Sequence, residues 1–318
     1  MALLLVEVPA MPEDGNIAAR QPALSWLPCL WRRLPVVLRA VLVAELVASV
    51  GDLPPAGLMF ANLRLHPEIP WLLPATAIWL WWFWRYVNGA GWPRSTAEAR
   101  RRSLRARPLT ARVWGWALLA GGLGIISLMS FALLNARFAN VPRDAFKSPI
   151  DFSVVPTWTV LSILLAVSVT AGVVEEAAYR GYLISPIERR HGWVVAILVS
   201  GVMFFVAHLN HSYVTPAFLP FFLAVSALHG LLVYWTRSIL PSIVLHSAAD
   251  FTFIPLQYGL IGRMTTAPVW KTGPDSAFLT CLAVTLVFGL AAVPAFRRLA
   301  AVVPPTNSGP LLPPVPPS

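Results

Sequence analysis

The sequence predicts an all-α fold: a polytopic membrane helix bundle of about eight transmembrane helices. Three observations predict it. Of 318 residues, 57% are hydrophobic and only 12% charged, against roughly 45–50% and 25% in a soluble domain; the mean hydropathy is +0.67. Long apolar runs recur, too long and unalternating for transmembrane β-strands of about 10 residues. The basic residues behind the net charge of +10 gather between those runs. Membrane topology accounts for such loops, so a pI of about 10.6 does not call for a nucleic-acid partner.

In chain order, residues 1–33 read as an N-terminal tail. Their start, Met1-Ala-Leu-Leu-Leu-Val-Glu7, lacks a basic region, and its apolar run is shorter than the ~7–15 residues of a signal peptide. Candidate spans follow at about 34–51, 69–88, 113–135, 154–178, 193–210, 217–235, 238–258 and 276–296. The first is the weakest, since it carries Arg39 and Glu45. Residues 34–150 form accessory transmembrane helices with an Arg-rich loop, 151–258 the segment with the chemistry, and 259–300 the final helix. Residues 301–318 are a Pro-rich tail, extended or disordered. Cys29 and Cys281 are far apart and belong to no Cys-x-x-Cys motif, so neither a disulfide nor a thiol metal site is read from them.

Orientation follows from the arginines. The loop from Arg85 to Arg112 holds eight of them against one acid, Glu98, which places it in the cytoplasm. Eight spans then bring Arg32, Arg33, Arg189, Arg190, Arg237, Arg297 and Arg298 to the same side, with both termini cytoplasmic. Arg137, Arg143 and Lys147 fall outside, beside Asp144 and Asp151. The aromatic run Trp79-Leu-Trp-Trp-Phe-Trp84 reads as an interfacial belt.

Within the apolar runs stand ionisable residues. A charge at the centre of a membrane helix costs about 2.5–3.5 kcal/mol on insertion scales. Glu175, Glu176, Arg180 and Asp250 together would therefore cost roughly 10 kcal/mol if unpaired. Glu176 and Arg180 are spaced i, i+4 with the acid first, the favourable order for an ion pair, and read as a mutually neutralising framework. Glu175 has no i+4 cation and is the free carboxylate, suited to general base or acid work. His246 and Asp250 are also i, i+4, so Asp250 either orients the ring of His246 or binds a metal beside it. A turn at Arg189-Arg190-His191-Gly192 makes a helical hairpin whose arms place Glu175 and His208 at similar depth; Gly181 and Pro186 should bend the first arm. His211 reads as a capping or interfacial residue, and His229 as a packing or channel-lining one.

Glu-Glu-x-x-x-Arg at 175–180, Phe-x-x-x-His at 204–208 and His-x-x-x-Asp at 246–250, in this order, resemble the CPBP family of CAAX prenyl endopeptidases of the Ras-converting type and their bacteriocin-processing, Abi-like relatives. Arg180-Gly-Tyr-Leu and Ser238-Ile-Leu-Pro-Ser-Ile-Val-Leu-His246 carry the same likeness. It covers about residues 155–255. The resemblance implies an eight-span intramembrane endopeptidase in which Glu175 activates water, His208 assists as partner or ligand, His246 and residue 250 stabilise the oxyanion, and Glu176 and Arg180 support the site. Where the family pattern has Asn or Asp, residue 250 is Asp. An ionised carboxylate would repel an oxyanion that an amide would stabilise. Asp250 therefore stays protonated, orients His246 or binds a metal. A metal-assisted version would hold Zn2+ with Glu175, His208, His246 and Asp250.

The expectation is an endopeptidase of a bacterial plasma membrane, acting on membrane-associated peptides or proteins, prenylated ones among them. Two other classes stay open: a catalytically silent membrane scaffold or immunity protein, and a transporter or haem protein using His208 and His246.

Overall fold

The structure, a computed structural model, describes residues 26–139, 141, 143–146, 150–257 and 267–303. Most of the N-terminal tail, the Pro-rich tail from residue 304 and Lys147 of the loop after the helix Ala111–Phe138 lie outside the described residues. Every regular element among the described residues is helical. Short α1 (Trp26–Arg33) leads into α2 (Val36–Leu65), α3 (Leu72–Val87), α4 (Ala97–Leu104) and α5 (Ala111–Phe138). Then come α6 (Thr157–Glu175), a π-helical stretch (Glu176–Leu183), α7 (Ile184–His191), α8 (Trp193–Ala207), α9 (Leu219–Thr236), α10 (Leu240–Gln257), α11 (Val269–Thr272) and α12 (Ser276–Val302).

Each of the eight expected spans coincides with a helix, but four helices among the described residues are long and apolar enough to cross a membrane: Ala111–Phe138, Thr157–His191, Pro216–Thr236 and Ser276–Val302. Trp193–Ala207 and Leu240–Leu256 are apolar but shorter. The chain is thus an integral membrane protein, and the count of eight is not reached by length and composition alone. The largest difference is α2, which runs to Leu65 and not to 51. Pro54 and Pro55 lie inside it. Proline removes the N–H that would bond the carbonyl four residues back, so Pro55 leaves the Gly51 carbonyl without its usual donor. The indole of Trp79 supplies one, its Nε1 donating to Gly51 O at 3.1 Å. Membrane helices tolerate proline where a neighbour satisfies the freed carbonyl in this way.

Small residues bring the helices together, as they do where no hydrophobic effect drives association. Along α2, Ala40, Ala44 and Ala48 share a buried cluster with Ala178, Tyr179 and Leu183 of the π-helical stretch. Gly51 lies flush against the side chain of Val174 and the ring of Phe83. On the far side of α6, Gly172 is pressed onto α10: a Cβ there would stand 2.9 Å from the Ile243 carbonyl oxygen and 3.0 Å from the Ser247 nitrogen. Helix α12 lies along α5 at the margin of the bundle, with Ser127 Oγ donating to Thr285 O at 2.7 Å. Its Leu286, Val287 and Leu290 are exposed, a surface that suits lipid.

The α7–α8 hairpin turns at Gly192, whose φ of +84° is open to glycine and strained for other residues. Pro186 lies near the start of α7, inside the continuous helical run. The bend expected at Gly181 and Pro186 is instead the π-helical stretch, which carries the chain from α6 into α7 without a break.

At one end of the bundle the Arg-rich loop is folded onto the core. Arg100 is fully buried. It donates to the carbonyls of Tyr86 (2.6 Å), Ala90 (2.9 Å), Gly91 (3.2 Å) and Pro93 (3.2 Å) and lies over the Tyr86 ring. Glu188 of α7 takes Arg105 at 2.5 Å and Arg237 at 3.0 Å, and Arg105 O accepts from Ile239 N at 3.1 Å. These arginines are structural as well as topological. Arg137 is buried at the C-terminal end of α5, clamped by Asp275 (2.6 Å), Thr272 (2.6 Å) and the Ala267 carbonyl (3.1 Å). That clamp gives a structural reason for a cation the charge rule puts on the unexpected side.

Candidate active site

Five of the six expected site residues meet around one imidazole. The α6/π boundary carries Glu175 and Glu176, the first turns of the π-helical stretch carry Arg180, and α10 carries His246 and Asp250. Glu176 Oε1 stands 2.8 Å from His246 Nδ1. An ionised carboxylate only accepts, so Nδ1 holds the proton and Nε2 is turned to the far side of the ring. There it faces Glu175 Oε2 at 3.6 Å and Asp250 Oδ2 at 3.6 Å. The residue that orients His246 is therefore Glu176; Asp250, the i+4 neighbour on the same helix, stands beyond hydrogen-bond distance. π-bulges recur where a helix must re-aim side chains at a functional site, and here one begins at Glu176.

Glu176 is the anchor of the cluster. Its Oε2 accepts from Ser242 Oγ at 2.5 Å, and Ser242 Oγ in turn accepts from His229 Nδ1 at 2.7 Å. Arg180 approaches Oε1 at 3.4 Å. Both side chains of that pair have no exposed surface, whereas Glu175 is 19% exposed and Asp250 28%. This contrast divides the two adjacent glutamates: one is sealed into a framework, the other keeps exposed surface. Arg180 has its charge met twice. Besides Glu176, the guanidinium lies over the Phe204 ring, 4.4 Å from the centroid, while its three nitrogens find no hydrogen-bond acceptor among the described residues. A cation–π contact gains most in a desolvated site.

Phe204 is also the hub that ties His208 to the rest. Its ring centroid lies 4.4 Å from that of His208, 5.3 Å from Tyr179 and 6.2 Å from His246. His208 caps the end of α8, and its Nδ1 meets the Phe204 carbonyl at 2.7 Å. His208 is electrostatically coupled to His246 and Arg180, but no hydrogen bond joins it to Glu175. His211 stacks with His208 (5.5 Å) and Tyr213 (5.4 Å) and stays apart from the carboxylates.

Zinc takes three or four converging donors. Among the described residues no group of three or more His, Cys, Asp or Glu side chains is arranged to hold a metal ion. Of the four donors expected, His246 meets Glu176 through Nδ1 and faces Glu175 and Asp250 at 3.6 Å through Nε2, and His208 meets a backbone carbonyl through Nδ1, which leaves the Nε2 of both rings free of a hydrogen bond among the described residues.

Sequence reading missed Ser242 and His229 as members of the Glu176 network. Ser242 was open to detection: it lies i−4 from His246 and hence on the same helix face. His229 offers only the general signal of an imidazole in an apolar span.

Residues 157–252 match the family model of type II CAAX prenyl endopeptidases, Rce1-like. The matched segment runs from the start of α6 into α10 and contains all six expected site residues. The resemblance carried by the three motifs thus holds over that segment. No curated protein and no solved structure matches the chain.

Proposed function

We propose that this membrane protein, with its Rce1-like segment, is an intramembrane endopeptidase that hydrolyses peptide bonds of membrane-associated peptides or proteins, prenylated ones among them, through water activated by Glu175. One observation carries the reading: His246 is gripped at Nδ1 by the sealed Glu176 and turns Nε2 toward the open Glu175. A water held between Glu175 and His246 would lose a proton to the Glu175 carboxylate while its oxygen attacks the scissile carbonyl carbon. The proton returns to the nitrogen of the leaving amine as the C–N bond breaks. Glu176, Arg180, Ser242 and His229 keep the imidazole in one tautomer and orientation, as partners behind a reacting histidine do.

Asp250 faces the same Nε2 as Glu175. It shares the imidazole rather than offering an amide N–H to an oxyanion, so an oxyanion role does not transfer to this position. The proposed location is a bacterial plasma membrane with both termini cytoplasmic, and the basic end of the bundle supports that orientation.

The test compares small membrane peptides in cells producing the wild type and Glu175→Gln. The expected result is a defined set of peptides that disappears with the substitution. A phenotype that survives it would sink the peptidase reading in favour of a silent scaffold. Metal analysis of the purified wild type is expected to give far less than one equivalent.

A further inference from the structure

The matched segment begins at residue 157, yet one wall of the site comes from before it. Helix α2 and the α6/π helix are antiparallel, and two contacts fix their register. Tyr179 OH donates to Glu45 Oε1 at 3.2 Å, and Gly51 lies flush on Val174. Moving six residues along α2 thus moves five back along its partner. Asp52, the residue after Gly51, falls level with residues 172–173, about one turn from Glu175. On the opposite side of that level Gly172 is pressed onto Ser247, the residue after His246. Asp52 and His246 therefore flank Glu175 from two different helices.

The chemistry of Asp52 agrees with that placement. Its carboxyl is electrostatically coupled to Glu175 and His246, and it makes no hydrogen bond or ion pair with any described residue. It is half-buried, as are Glu175 and Asp250. A polar group with no protein partner at membrane depth needs water or a ligand. The backbone beside it is held open by Pro54 and Pro55, with Gly51 O turned to Trp79.

We propose that Asp52 is a water-positioning residue of this site: from α2 its carboxyl holds the hydrolytic water against Glu175, opposite His246. Helix α2 is then a wall of the reaction chamber and not an accessory helix. The inference rests on the peptidase reading for its purpose, but the water site itself is testable without a substrate.

The experiment uses the full chain in lipid nanodiscs and radiolytic hydroxyl labelling, in which bound water marks adjacent side chains, read by mass spectrometry at Val174, Tyr179 and Trp79. Asp52→Leu is expected to reduce labelling there at least about fivefold, and to slow release of the Glu175-dependent membrane peptides about tenfold, as loss of reactant positioning does. Asp52→Asn, which keeps the shape and an acceptor oxygen, is expected to restore labelling and to bring the rate within about threefold of wild type. Wild-type labelling in Asp52→Leu overturns the proposal. So does an Asp52→Asn protein that behaves like Asp52→Leu. Should Asp52→Leu fail to fold, judged by its melting, Asp52→Ala takes its place with the same expectations. If no peptide depends on Glu175, the peptidase reading fails while the labelling still decides on Asp52.

Discussion

At the scale of the residue, the two adjacent glutamates have opposite fates. Glu176 is buried without exposure and holds His246, Ser242 and Arg180. Removing one partner of a buried charged network typically costs about 3–5 kcal/mol, because the other charge is left uncompensated. Glu176→Gln is therefore expected to lower the melting temperature markedly as well as to abolish cleavage. Glu175→Gln, at a site that opens to the surroundings, is expected to abolish cleavage with little change in melting. Thermal unfolding of the two variants side by side checks this, and equal melting losses would contradict the division. The Glu176–Arg180 pair was legible because it is local, four residues apart on one helix. The grip of Glu176 on His246 spans 70 residues and depends on how α6 and α10 pack, which no spacing rule reaches. Asp52 lies one residue beyond the expected span of 34–51, whereas in the bundle the Trp79 indole satisfies the carbonyl freed by Pro55 and the helix continues to Leu65.

At the scale of the element, close backbone approach controls the site. Gly172 lets α6 lie against α10, with Ser247 where a side chain would be. Gly172→Ala is expected to push the two helices apart at the level of His246. Overpacking of this kind costs about 1–3 kcal/mol, and misplacing the imidazole should slow cleavage more than the stability loss explains; both are read from the purified variant. The turn at Gly192 was legible because a basic, glycine-ended tetrapeptide between two apolar runs has few other readings. The π-helical stretch was not, since helix type is decided by packing around Glu176 and Arg180 rather than by local propensity. At the end of the bundle away from the Arg-rich loop, the hydrogen bond from Arg137, joined by that from Phe278 N, holds the Asp275 carboxyl below its ordinary range. A carboxylate favoured in the folded state adds stability above its unfolded pKa and loses it as pH falls through the lower folded value. Amide protection at the α5–α12 junction, taken relative to the intrinsic exchange rate at each pH, is expected to fall below about pH 4 in the wild type. In Asp275→Asn it should be low already at neutral pH.

At the scale of the whole molecule, the positions of all eight helices were legible from apolar runs, while their membrane-spanning status rests on more than length. Helix α3 and the apolar parts of α8 and α10 are short, so hydropathy alone leaves them undecided. The Arg-rich loop is fastened to the α7 and α9 ends through Glu188. Glu188→Ala should free it, and faster proteolysis between Gly89 and Arg112 in membranes opened on the basic side would show this. The clamp at the other end bears on biosynthesis. Arg137 and Asp275 are 138 residues apart, and ribosomes add about 5–20 residues per second. Arg137 thus waits roughly 7–28 s at the membrane surface before its counter-ion exists. The helices that carry Glu175, Glu176, Arg180, His208 and His246 are synthesised within that interval and α2 before it, so the last helix closes a bundle whose reaction centre is already made.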